Sequence, residues 1–492
     1  MTPDTDLLAP FRQLLETPDP IAALRKGVIG EGVRIEGPFG PKPLIYADYT
    51  ASGRALRQVE SFVQDHVLPF YANCHTEASY CGALMTRMRR AARAEIARAC
   101  GAGPEHAVVF AGAGATAGIN RLVALLEAGP DTRVILGPYE HHSNILPWRE
   151  SGAKVVTLAE DATGGPDRKQ LARLLAQTGT RTICAFSAAS NITGILADVA
   201  VLTRMVKAAG AVMIWDYAGG GPYLPIRMEP APDTPIDAIV LSPHKFIGGA
   251  GASGVMVLRR DSARLTRPSQ PGGGTVRFVS PVGHDYSGSL EAREEAGTPN
   301  VLGDIRAALA FMVKSRIGTD SMATRGRALV ARAHAAWGAD DRIELLGPQD
   351  LPKLPIFSFR IRDGKGGTFH QQFLTRLLSD LHGIQARGGC ACAGPYVHQL
   401  VGLDAVESDR IRAAILAGDE MEKPGFVRLN LSSLMEDAKV ETVLEAVRGL
   451  ACAARDHAAF YRGDPARATF AVDPAALPSI ATGTATRDPL GA

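Results

Sequence analysis

The chain has 492 residues, 46% of them hydrophobic, which is enough to bury two cores rather than one and excludes a largely disordered protein. With 53 Lys and Arg against 51 Asp and Glu, and no long run of either sign, nothing points to nucleic acid or an anionic membrane as partner, and a small-molecule ligand fits better. The seven cysteines (Cys74, Cys81, Cys100, Cys184, Cys390, Cys392 and Cys452) are odd in number and sparse, which argues against a disulfide framework and for free thiols in a reducing compartment.

The opening stretch, MTPDTDLLAPFRQLLE, carries acids and lacks an apolar signal core, and no uninterrupted apolar run is long enough to cross a bilayer; a cytoplasmic protein is expected. From residue 106 onward, short apolar runs alternate with helical patterns. HAVVFAG (106–112) predicts a strand, followed by a helix near 115–127; TRVILG (132–137) predicts another, followed by a helix over 143–150. KVVTL, TICAFSA, AVMIWD, DAIVLS and GVMVL continue the series. This is the pattern of a largely parallel sheet covered on both faces, in an α/β fold. Helical segments over 303–338 lead to a second set: PIFSFRI (355–361), a helix over 368–381, GIQAR, FVRLNLS (426–432) and a helix over 436–455. The expected organisation is an N-terminal segment 1–40, a large domain 41–318, a smaller α+β domain 319–462, and a flexible tail 463–492 rich in Pro, Ala, Thr and Gly.

In an open α/β sheet ligands bind beyond the carboxyl ends of the strands, so the residues just after each apolar run carry the chemistry. After the first run comes AGAGATAGIN, a small-residue turn into a helix whose free amides, with Thr116, suit a phosphate. Then come YEHHSNILPW, ASNITG, Asp216 after MIW, and SPHK with Lys245. Each has an ordinary reading: a turn, surface histidines, a helix cap; Arg428, inside a strand, can equally pair with a nearby acid. Together they supply an amine, a carboxylate, an aromatic stacking partner and a phosphate cradle, the inventory for pyridoxal phosphate.

In the order GAT, EHHSNILPW, SNITG, WDYA, SPHK, GGGT, EAGTPN, RGGCACAGP, the chain resembles the cysteine desulfurase branch of the class V aminotransferases, over roughly residues 41–455. The resemblance implies a pyridoxal-phosphate enzyme of fold type I. It makes Lys245 the lysine bonded to the cofactor, Asp216 the partner of the pyridine nitrogen, His141 the catalytic residue stacked on the ring, and Asn191 a neighbour of the phenolic oxygen. It puts Ala115, Thr116, Ser242 and His244 at the phosphate, with Thr298 reaching it from the other subunit of a homodimer. It implies that His75 lies on the substrate side, that Arg428 pairs with the substrate carboxylate, a task suited to a bidentate guanidinium, and that Arg387 lies at the edge of the site. Five positions on from Arg387, as the family pattern counts, stands Cys392, the nucleophilic thiol; Cys390 occupies a histidine position of that pattern, and its role is open between helper, persulfide relay and none.

The implied activity converts L-cysteine to L-alanine, leaving sulfur on Cys392 for an acceptor protein. A β-lyase, selenocysteine lyase or epimerase would keep the same cofactor, and a non-catalytic scaffold would keep only the fold. Two departures stand out: Gly219 replaces the glutamine usual three residues after the aspartate, and about twenty extra residues separate the cysteine loop from Arg428. No metal site is expected, since the cysteines lack a second pair at zinc spacing.

Overall fold

The computed structural model describes residues 6–74 and 76–476. They divide into two compact units, each assembled from separate pieces of chain: residues up to Ile29, Tyr49–Ala328 and Asp350–Ile356 in the first, and Gly30–Asp48, Leu329–Gln349 and the chain from Phe357 in the second. Among the described residues no helix is long and apolar enough to cross a membrane.

The first unit contains α1 (Tyr80–Cys100), β1 (His106–Gly112), α2 (Gly114–Leu125), β2 (Thr132–Leu136), β3 (Lys154–Thr157), β4 (Arg181–Ser187), α3 (Val199–Ala208), β5 (Val212–Asp216), β6 (Ala238–Leu241), β7 (Gly254–Arg259) and α4 (Val301–Ile317). The strands form one seven-stranded sheet in the order β1-β7-β6-β5-β4-β2-β3. Only β7 opposes its neighbours; the other pairings are parallel. Between β6 and β7 the chain forms no crossover helix, only the 3-10 turn Pro243–Lys245, and β7 returns antiparallel to β6. All of β2 and β6 is buried, which is why these strands read as unbroken apolar runs. Ile119 and Leu122 of α2 pack with Val134, Trp148, Ile214, Val240 and Met256, each such burial worth about 1.5–3 kcal/mol.

The second unit contains β8 (Ile343–Leu345), β9 (Ile356–Ile361), α5 (Gln371–His382), β10 (Ile384–Gln385), β11 (Arg387–Gly389), α6 (Gly394–Val401), α7 (Ala405–Leu416), β12 (Phe426–Asn430), α8 (Asp437–His457), β13 (Tyr461–Asp464) and β14 (Thr469–Val472). Four strands make a sheet in the order β8-β9-β12-β11, and β10 pairs in parallel with the short strand Ile45–Tyr46. Trp337, Phe357, Phe359, Leu377, Val427, Leu429, Val443 and Val447 share its core. Between the cysteine loop and β12 lie the two helices α6 and α7. The start of the expected flexible tail is ordered: β13 and β14 form a hairpin, because Tyr461 and Phe470 pack their rings on Phe373 at 5.2 and 5.4 Å. The remainder of that tail, 477–492, lies outside the described residues.

Candidate active site

In the first unit the sheet brings several of the predicted residues together. Strand β6 stops at Leu241 and the chain turns through Ser242, Pro243, His244 and Lys245. The Ala115 amide, at the start of α2, donates to Ser242 Oγ at 2.9 Å. Gly114 has φ +62°, and a Cβ there would lie 3.0 Å from Ser242 Oγ and 3.1 Å from His244 Cε1. Glycine thus admits both the left-handed backbone and the close approach of these two side chains. The turn is pinned from outside: Gly53 N donates to His244 O at 2.8 Å, and a Cβ on Gly53 would collide with Phe246 O. Burial, helped by the adjacent charge of Lys245, pushes the His244 imidazole down to about 4, so the ring is neutral at pH 7 and offers one donor and one acceptor.

Thr116 and His141 meet through a residue that sequence reasoning passed over. Ser143 Oγ lies 2.7 Å from Thr116 Oγ1 and 3.1 Å from His141 Nδ1. The Ser143 amide donates to His141 Nδ1 at 3.1 Å, which makes that nitrogen an acceptor and leaves the proton of a neutral ring on Nε2.

Asp216 ends β5, is 4% exposed, and accepts from the Ala218 amide at 2.7 Å. Burial raises its pKa, while the Ala218 hydrogen bond and the Lys245 charge oppose that rise; Lys245 is therefore close enough to act as its counter-charge. Asn191 is buried next to Gly219, whose imagined Cβ would stand 3.7 Å from Asn191 Cβ and 3.4 Å from Ala189 O. Those are ordinary contact distances and the backbone there is not left-handed, so neither sterics nor φ demands glycine at this position.

Below these groups lies a buried acid not singled out from the sequence. Glu140, 2% exposed, accepts from Ser187 N at 2.8 Å, Ser187 Oγ at 2.6 Å and Asn144 Nδ2 at 2.7 Å, and Asn144 Oδ1 accepts from Trp148 Nε1 at 3.0 Å. Burial raises Glu140 to about 7 against the pull of these hydrogen bonds, with the charge of Asp216 adding to the rise. Ser187 is the register partner of Asp216, so the network ties the His141 segment to the strand end beside Asp216. The available signal was an acid directly before His141 in a motif already of interest.

Thr298 is exposed on the surface of this unit, on a loop tied to β1 where Glu295 accepts from Phe110 N at 2.8 Å and pairs with Arg89 and Arg93. His75 lies outside the described residues.

The second unit holds the other predicted group. Arg387 on β11 and Arg428 on β12 are direct cross-strand partners, a like-charged pairing that is unfavourable alone. Asp48 resolves it: Oδ2 accepts from Arg387 Nε at 3.0 Å and Oδ1 from Arg428 Nη2 at 3.2 Å. Arg428 and Asp48 are 4% and 8% exposed, whereas Arg387 is largely open to solvent. Burial lowers the Arg428 pKa; Asp48 counters this most strongly, and Cys392 contributes in the same sense, so the thiol lies within electrostatic reach of Arg428. Cys392 is exposed and Cys390 partly buried, on the loop between β11 and α6. Ala391 and Cys392 both have left-handed backbone, φ +48° and +55°, which costs roughly 1–2 kcal/mol for each such residue. The acid that Arg428 finds is thus Asp48. Its signal was the same as elsewhere, a carboxylate just past a short apolar run, LIYAD.

The chain is similar to known proteins. A probable cysteine desulfurase of Pyrococcus abyssi is 27% identical over 380 residues, 76% of this chain and 90% of that protein. One of Vibrio cholerae is 29% identical over 362 residues, 72% and 85% of the two chains. The apo structure of a cysteine desulfurase from Thermococcus onnurineus aligns with TM-score 0.70 at 24% identity, covering 87% of this chain and 97% of that one. The Escherichia coli cysteine desulfurase structure gives 0.67 at 22%, covering 88% and 99%. At these identities the two structures speak for the fold, which is that of the large α/β unit with its smaller companion. The model of the family described as aminotransferase class-V matches residues 45–440, a span that takes in every strand-end motif above as well as Asp48, Cys392 and Arg428, and the chain belongs to that family.

Proposed function

We propose that the protein is a pyridoxal-phosphate-dependent cysteine desulfurase, converting L-cysteine to L-alanine and leaving the sulfur as a persulfide on Cys392. The first group of residues fits the cofactor by the chemistry of its donors. A helix amide, the Ser242 hydroxyl and a neutral His244 stand together around Gly114, a set suited to a phosphate ester. Ala115, Thr116, Ser242 and His244 would hold the phosphate, His141 the ring face, Asn191 the phenolic oxygen, Asp216 the pyridine nitrogen and Lys245 the aldehyde carbon. Thr298, exposed on its loop, would reach the phosphate of a second copy in a homodimer. When bound, the cofactor stabilises the electron pair left at Cα after proton loss.

The remaining steps belong to the chain. Lys245 takes the proton from Cα of the substrate and returns it later. Burial raises the pKa of Asp216 while the Ala218 amide and the Lys245 charge favour its carboxylate; in that form it would hold a proton on the ring nitrogen. Arg428 and Arg387 bind the substrate carboxylate. The Cys392 thiolate attacks the substrate sulfur: an S–S bond forms, the Cβ–S bond breaks, and its electron pair leaves with the three-carbon fragment, which gains protons to become alanine. Cysteine plus enzyme thiol thus becomes alanine plus enzyme persulfide, with no external oxidant or reductant. An acceptor protein then takes the sulfur, in the cytoplasm, where all seven cysteines remain free thiols.

The observation that carries this reading beyond the cofactor is an exposed thiol, Cys392, within electrostatic reach of the buried Arg428. It is tested by substitution of the two thiols. Cys392→Ala should keep the visible absorbance of bound cofactor and its shift on adding cysteine, yet accumulate no protein persulfide and release no alanine; Cys390→Ala should retain most of both. The reverse pattern moves the nucleophile to Cys390, and full activity of the double variant removes persulfide chemistry. Gly219 favours a second reading, a β-lyase, selenocysteine lyase or epimerase using the same first group, since it leaves the space beside Asn191 without a side chain.

A further inference from the structure

Asp48 is not a peripheral partner of the two arginines. It is anchored on both sides: Ala47 N donates to Gln385 O at 3.0 Å and Asn430 N donates to Ala47 O at 2.8 Å, so the carboxylate is carried by a short segment stitched to β10 and β12. One oxygen faces each arginine, at 3.0 and 3.2 Å. A single carboxylate thus sits against two guanidiniums and leaves the trio with one surplus positive charge. Arg387 points that surplus toward solvent, its side chain 49% exposed, while Arg428 is sealed in. Arg387 sets both Nε and Nη2 3.0 Å from Asp48 Oδ2, and a guanidinium has five donors, so this exposed side chain keeps others to receive a ligand.

From this charge count we infer that Asp48 is a specificity-determining residue: by neutralising one of the two arginines it tunes the pair to a ligand bearing one carboxylate and disfavours amino acids with a second acidic group. The inference rests on the reading that Arg387 and Arg428 take the substrate carboxylate. A fixed acid beside the binding position also repels a further acid on the ligand, so selection comes from both the missing attraction and the added repulsion.

The test is calorimetric binding of L-alanine and L-aspartate to cofactor-loaded protein, with the ratio of their dissociation constants as the readout. Asp48→Asn keeps the shape and removes the charge, and should improve L-aspartate relative to L-alanine by about tenfold or more, a change of about 1.4 kcal/mol. Arg387→Gln, at an exposed position that puts folding at little risk, brings the trio to neutrality and should move the ratio the opposite way, with L-aspartate losing more than L-alanine. A structural role for Asp48 would change both affinities alike. A ratio unmoved in both variants overturns the inference, and if Asp48→Asn does not fold, an unmoved ratio in Arg387→Gln does so by itself. Arg428→Lys separates the two levels: if it weakens both amino acids while the ratio stays fixed in the other variants, only the role of Asp48 falls; if it changes neither affinity, the carboxylate binds elsewhere and the underlying reading falls with it.

Discussion

In the first unit the candidate side chains stand where buried parallel strands stop: Ser187 at the end of β4, Asp216 at the end of β5, Ser242 to Lys245 after β6. In the second they stand on the outer strand of a four-stranded sheet, on its neighbour, and on a loop with two left-handed residues. The first arrangement fixes atoms through sheet register and a dry core. The second joins residues far apart in the chain, with Asp48 meeting Arg387 across 339 positions and Arg428 across 380. The contrast fits the proposed division of labour, in which one unit supplies a preorganised electrostatic setting and the other an exposed thiol on a loop.

That division can be broken most severely at Lys245. Lys245→Ala should abolish both the visible absorbance of bound cofactor and turnover, while circular dichroism remains that of a folded protein; a variant that keeps absorbance and activity removes Lys245 from its role. Next comes Asp216. Asp216→Asn should retain cofactor but slow exchange of the substrate α-proton for deuterium by roughly 10²–10⁴-fold, the scale on which positioned acid–base groups act. An unchanged exchange rate would mean that the strand end of the first unit does not set the electronics. By comparison, removal of either thiol in the second unit should leave α-proton exchange intact and affect only the fate of sulfur.

The smallest effect concerns Glu140 and is one of stability. Its folded pKa, about 7, lies above its ordinary 4.5, so the folded state binds the proton more tightly than the unfolded chain. The associated stability is fully present below pH 4.5 and is lost as pH rises through 7. The denaturant midpoint of the native protein should therefore fall, relative to that of Glu140→Gln, between those two pH values, by up to roughly 3 kcal/mol equivalent. Parallel pH profiles for the two proteins would show that Glu140 titrates in the fold as it does in the unfolded chain.

Much of the first unit was legible in the sequence because buried parallel strands leave a direct trace, an apolar run that stops abruptly at a polar residue. Lys245, Asp216, Ser242 and Thr116 all follow that rule. Ser143 and Glu140 did not announce themselves, since a serine or an acid beside a histidine pair is ordinary until the fold shows what it touches. The antiparallel course of β7 leaves no mark in its composition, since it is a buried apolar run like its parallel neighbours. In the second unit β9, β10, β12 and the helices α5 and α8 were visible and the short strand β8 was not, and Asp48 was not connected to Arg428, because no periodicity links positions that only tertiary packing brings together. The hairpin at 461–472 was hidden by its short, weakly apolar strands, YRGD and TFAV, and its order comes from Tyr461 and Phe470 seated on Phe373.

The central claim is that sulfur leaves cysteine for a thiol of this chain, and the most direct measurement follows all products at once. Purified, cofactor-loaded protein is incubated with L-cysteine in the absence of added reductant, and alanine, pyruvate, ammonia and protein-bound reducible sulfur are quantified in the same sample over the first turnover. The account predicts alanine and persulfide in equal amounts, with no pyruvate and no free ammonia. Pyruvate and ammonia appearing together, with no sulfur on the protein, would contradict it and make the enzyme a β-lyase.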